Sequence, residues 1–91
     1  MPEIARHVRI IGHVQGVFYR AWCQAQAREL AISGWVRNCP DGSVEAHVQG
    51  EEADVSRMIE RMRAGPANAR VDDVDVESAA LDSSGRFELR R

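Results

Sequence analysis

Arg20 follows the run Gln15-Gly16-Val17-Phe18-Tyr19, and a helical apolar period starts at Tyr19. A cation in the first turn of a helix faces the positive end of the macrodipole, at a cost of about 0.3–1 kcal/mol when exposed. The loop enters that turn through a glycine, and backbone N–H groups there converge without intrahelical partners. A guanidinium fork, a helix N-terminus and converging N–H groups together describe an anion site suited to phosphate. The same residues also describe a tight turn followed by a surface arginine paired with a carboxylate. Asn38 is the second candidate, because an amide can donate to one group while accepting from another and so orient a water. Beside Pro40-Asp41-Gly42 it reads equally as turn chemistry.

The remaining chemistry-bearing residues point to structure. All 12 basic residues are arginine, so a lysine Schiff base is excluded. His7 and His47 are expected on a solvated sheet face rather than in a metal site, which needs more ligands. His13 lies near the loop. Cys23 falls on an apolar helix stripe and reads as core. Cys39 has no histidine near it in sequence. The two cysteines lack CxxC spacing and read as reduced thiols of a cytoplasmic protein. Asp72, Asp73, Asp75 and Glu77 read as a solvated acidic strand.

These candidates need elements to position them. Arg6–Gly12 alternates, with Val8 and Ile10 on one face and His7 and Arg9 on the other, as in a half-buried strand. From about Tyr19 to Ile32, Tyr19, Cys23, Ala27 and Leu30 make one helical stripe with Trp22 beside it. Ser33-Gly34 is expected to end that helix, with Gly34 left-handed. Trp35–Cys39 and Ser43–Gln49 make a hairpin across Pro40-Asp41-Gly42, with Val44, Ala46 and Val48 inward and Glu45, His47 and Gln49 outward. Glu51–Ala64 is a second helix, with Val55, Met58, Ile59 and Met62 on its apolar face and Gly65-Pro66 as its stop. Val71–Ser78 is a strand. Phe87-Glu88-Leu89 is a short last strand after the turn Asp82-Ser83-Ser84-Gly85.

The order βαββαβ with a terminal strand predicts an α+β, ferredoxin-like sandwich. Its antiparallel sheet has the order 4-1-3-2, two helices cover one face, and a short C-terminal strand is appended. Strands 1 and 2 then run the same way, so the loop 14–19 and the segment 37–39 meet at one sheet edge. That geometry would put Arg20 across from Asn38.

The 91 residues are expected to form a single domain, structured from about residue 5. A net charge of -2 argues against a nucleic-acid partner that depends on a basic face. An RNA-recognition sheet would also need exposed aromatics where this chain has His7, Arg9, Glu45, His47 and Gln49. No apolar run is long enough for a membrane span, and the opening MPEIARHVRI lacks the apolar core of a signal peptide.

Gly12-His13-Val14-Gln15-Gly16-Val17-Phe18-Tyr19-Arg20 resembles the first signature of the acylphosphatase family. Gly34-Trp35-Val36-Arg37-Asn38, Gly42-Ser43-Val44 and Gly50 resemble the second, with its internal spacings. The one departure is Tyr19, where Phe or Met is commoner. The resemblance implies the ferredoxin-like fold and metal-independent hydrolysis of acyl phosphates, without a cofactor. It implies that Arg20 and the loop backbone of Gln15, Gly16, Val17, Phe18 and Tyr19 hold the phosphate, and that Asn38 positions water. Inorganic phosphate would be product or inhibitor, and the enzyme a cytoplasmic monomer. A non-catalytic anion- or ligand-binding module on the same fold is the alternative, as is a copy of the similar domain that opens larger carbamoyl-transfer proteins.

Overall fold

The computed structural model describes residues 2–83 and 85–91. The chain runs β1 (Glu3–His13), α1 (Tyr19–Glu29), β2 (Ser33–Asn38), β3 (Val44–Glu51), α2 (Glu52–Ala64), β4 (Arg70–Ser78) and β5 (Phe87–Arg90). Of the turn expected at 82–85, Ser84 lies outside the described residues.

Alternation decides which side of the sheet meets the helices. Val8 and Ile10 of β1, Val36 of β2, and Val44, Ala46 and Val48 of β3 are fully buried. They pack against Tyr19, Cys23 and Ala27 of α1 and Val55, Met58 and Met62 of α2. Each helix therefore presents an apolar stripe at helical spacing to one sheet face. The acids of β4 stay exposed along an edge strand, where charge discourages pairing with another chain.

The sheet has the order β4-β1-β3-β2-β5. It corrects the expectation of a purely antiparallel four-stranded sheet. β5 joins as a fifth strand, parallel to β2, with Gly34 opposite Phe87 and Val36 opposite Leu89. The physical reason lies in the edges. β4 occupies one edge next to β1, so β2 keeps an open edge, and Phe87 gains burial by pairing there.

That placement has a second consequence. β4 and β5 lie at opposite edges, so the connection between them crosses the sheet on the side without helices. Gln49 Nε2 donates to the Asp82 carbonyl at 2.7 Å, and the Asp82 N–H donates to Gln49 Oε1 at 2.8 Å. Gln49 is buried there, and Glu45 and His47 are buried too, under neighbouring side chains of the sheet: His7, Arg9 and Arg37 on Glu45 and Trp35 on His47. Every residue from Val44 to Gly50 is buried, as befits the middle strand of five.

The end of α1 also differs from expectation. The helix closes at Leu30, with Ala31 left-handed at φ 57°. Ile32 N–H bonds the Ala27 carbonyl at 2.8 Å and Ala31 N–H bonds that of Arg28 at 3.4 Å, which is the Schellman pattern. Gly34 serves instead inside β2, at φ 136°, where a Cβ would sit 1.7 Å from the His47 carbonyl oxygen. Close strand approach, not helix termination, demands that glycine. Ala31→Gly is expected to stabilise the protein by about 1 kcal/mol, because an L side chain is strained in this region. A thermal melt should show a midpoint higher by roughly 4–8 °C.

Candidate active site

The β1–α1 loop is held in an alternating conformation. Gly16 has φ 75° and Phe18 φ 60°, with Val17 between them outside the left-handed region. Alternation of this kind is the backbone pattern from which concave N–H clusters are built. A left-handed phenylalanine costs roughly 1–2 kcal/mol, and its ring is 83% exposed, so apolar burial does not repay the strain.

Two amide side chains fix that shape. Gln15 Nε2 donates to the Cys39 and Ser43 carbonyls, each at 2.8 Å. Asn68 Nδ2 donates to the Val17 carbonyl at 3.1 Å. Tyr19 anchors the first turn of α1, its buried hydroxyl donating to the Met62 carbonyl at 2.7 Å. Burial, reinforced by Cys23, pushes the Tyr19 phenol far up; burial also pushes the Cys23 thiol up, to about 12. Neither group moves a proton near neutral pH. Cys23 is therefore core, as its stripe position predicts.

Arg20 and Asn38 come together. They line one cavity of about 280 Å³ with Val14, Gly16, Phe18, Tyr19, Ala21 and Leu89. Arg20 Nη1 donates to the Arg90 carbonyl at 2.6 Å, so β5 braces the guanidinium. The Pro40-Asp41-Gly42 turn is closed by Asp41, whose Oδ1 accepts from Ser43 N–H at 3.0 Å and Ser43 Oγ at 2.6 Å. Turn chemistry thus belongs to Asp41, and the Asn38 carboxamide has no protein partner among the described residues. Gln15 and Val17 are not among the lining residues; Gln15 instead ties the loop to the turn beyond Asn38. Sequence reasoning placed Gln15 by its backbone and missed its side chain, together with Asn68 and the Arg90 carbonyl. A glutamine in a tight loop hints at a bridging amide, but nothing local names the carbonyls it reaches.

The histidines serve elsewhere. His7 Nε2 lies 2.8 Å from Glu45 Oε2 and His47 Nε2 lies 3.1 Å from Gln49 Oε1. His13 is exposed at the end of β1 and does not line the cavity. Among the described residues no group of three or more His, Cys, Asp or Glu is arranged to hold a metal ion.

Glu45 gathers the cations of the other sheet face. It meets His7, Arg37 and, at 3.9 Å, Arg9. Burial pushes its pKa up, but hydrogen bonds from His7 and Arg37 and their charges outweigh that and hold it below the usual carboxylate range. A depressed carboxylate stabilises the fold above its unfolded pKa and loses that contribution as pH falls through its folded one. Glu45→Gln should cost about 1–3 kcal/mol at neutral pH. Melts recorded from pH 7 to 3 should also show a shallower acid decline than in wild type. An unchanged acid limb would remove Glu45 as its cause.

The Acylphosphatase family model matches residues 6–89. An acylphosphatase from Rhizobium etli is 49% identical over 82 residues, covering 90% of this chain and 87% of the relative. One from Albidiferax ferrireducens is 48% identical over 90 residues, covering 99% and 97%. The solved structure of an acylphosphatase from Coxiella burnetii superposes with TM-score 0.92 at 35% identity, covering 97% of this chain and 93% of that one.

Proposed function

Since the chain belongs to the acylphosphatase family and is an enzyme that hydrolyses acyl phosphates, we propose that Arg20 and the 15–20 loop backbone hold the transferred phosphoryl group while Asn38 holds the attacking water. The observation that carries this reading is the cavity shared by a braced guanidinium and a carboxamide with no partner among the described residues.

The chemistry suits such sparse equipment. An acyl phosphate expels a carboxylate, a good leaving group, so no strong general acid is required. Phosphoryl transfer through a loose transition state asks for positioning and charge stabilisation. The loop N–H groups and Arg20 spread the charge of the phosphoryl oxygens. Asn38 accepts from the water with its carbonyl oxygen and aims it in line with the departing carboxylate. The water's oxygen bonds to phosphorus, the bond from phosphorus to the acyl oxygen breaks, and the water's proton passes to a phosphoryl oxygen. The products are a carboxylate and inorganic phosphate. The cavity lining holds no histidine, cysteine or carboxylate among the described residues, and burial pushes the Tyr19 phenol far up.

The same reading makes the chain a single-domain, monomeric, cytoplasmic enzyme that needs no metal and is inhibited by its product phosphate. None of its described helices is long and apolar enough to cross a membrane. Acetyl phosphate hydrolysis with and without a chelator is the direct test. Chelator-resistant turnover, competitively inhibited by phosphate, is the expected result. Phosphate binding without turnover would favour the non-catalytic module.

A further inference from the structure

Arg20, Gln24 and Arg28 stand four residues apart on α1 and so form one stripe. β5 follows that stripe. Arg20 reaches the Arg90 carbonyl, and Gln24 Nε2 donates to the Phe87 carbonyl at 3.1 Å. A second hollow of about 790 Å³ lies between α1 and β5, lined among others by Gln24, Arg28, Arg86 and Leu89. Leu89 also lines the cavity of Arg20 and Asn38, so one side chain borders both spaces. Small side chains at Ala27 and Ala31 leave the hollow its width.

Its charge is positive at the far end. Arg28 is exposed and has no ion-pair partner among the described residues. The nearby acids are engaged elsewhere, Glu88 with Arg90 at 3.6 Å and Glu29 with Arg61 at 3.2 Å. At a rise of ~1.5 Å per residue, Arg28 stands about 12 Å along the helix from Arg20, and a helical side chain leans toward the N-terminus, which for Arg28 is the Arg20 side. We infer that the α1–β5 hollow receives the acyl part of the substrate and selects acyl chains that end in an anion, with Arg28 as the recognising cation. The inference rests on the phosphoryl group occupying the Arg20 cavity.

The test compares kcat/KM for acetyl phosphate, hexanoyl phosphate and the monoacyl phosphates of succinic, adipic and suberic acids. Wild type and Arg28→Gln are assayed side by side, with circular dichroism to check folding. Adipoyl or suberoyl phosphate should exceed hexanoyl phosphate by roughly fivefold to tenfold, and added salt should erode that advantage. Arg28→Gln should abolish it while acetyl phosphate turnover stays at the wild-type level. Equal rates for charged and uncharged chains, or an advantage that survives in Arg28→Gln, overturns the role of the hollow. Undiminished acetyl phosphate turnover in Arg20→Ala would instead overturn the phosphate assignment beneath it.

Discussion

Replacing Arg20 with alanine is expected to lower kcat/KM on acetyl phosphate by on the order of 10³-fold or more, as for other arginines that stabilise a transferring phosphoryl group. The loss comes from charge stabilisation at the transition state. A side effect is structural, because the Arg90 carbonyl loses its donor and the end of β5 is released. That hydrogen bond is worth only about 1 kcal/mol, against about 4 kcal/mol for a 10³-fold change in rate. The two effects separate in a melt run beside the kinetics, where a small drop in midpoint should accompany the large drop in turnover. Arg20→Lys should fail nearly as badly. One ammonium cannot fork onto two phosphate oxygens while also holding the Arg90 carbonyl. Near-wild-type turnover in Arg20→Lys would rule out the clamp.

Asn38→Ala should act on a different constant. Turnover is expected to fall by roughly 10²–10³-fold, the range seen when a single positioning or stabilising amide is removed. The inhibition constant for inorganic phosphate should change little, because the clamp and the loop are intact. Asn38→Asp should not rescue the activity. The carboxylate accepts but cannot donate, and it adds negative charge beside a phosphoryl dianion. If phosphate inhibition weakened as much as turnover, Asn38 would be a phosphate ligand rather than a holder of water.

Several features were readable from local pattern. The stripe of Tyr19, Cys23 and Ala27 and the alternation of Val8 and Ile10 expose a period that reports directly on which face is buried. Arg20 and Asn38 stood out as candidates, but local pattern left each an ordinary structural reading, and the roles assigned to them came from the family resemblance. Less legible was anything with a distant partner. Gly34 looked like a helix terminator, but its neighbour is the backbone of His47 on another strand. Glu45, His47 and Gln49 alternate as a solvated face would, yet a later connection meets Gln49, Trp35 stacks on His47, and His7, Arg9 and Arg37 gather on Glu45.

Taken by itself, the amino-acid order determined the elements and the apolar faces that join sheet and helices, because helix and strand periods and turn residues act over a few positions. Only the tertiary structure decided that β5 lies parallel to β2 and braces Arg20, and that Gln15 and Asn68 hold the loop from two sides. Those contacts join residues tens of positions apart. Their existence depends on which sheet edge is left open and which face is left uncovered, properties the assembled sheet has and no single segment carries.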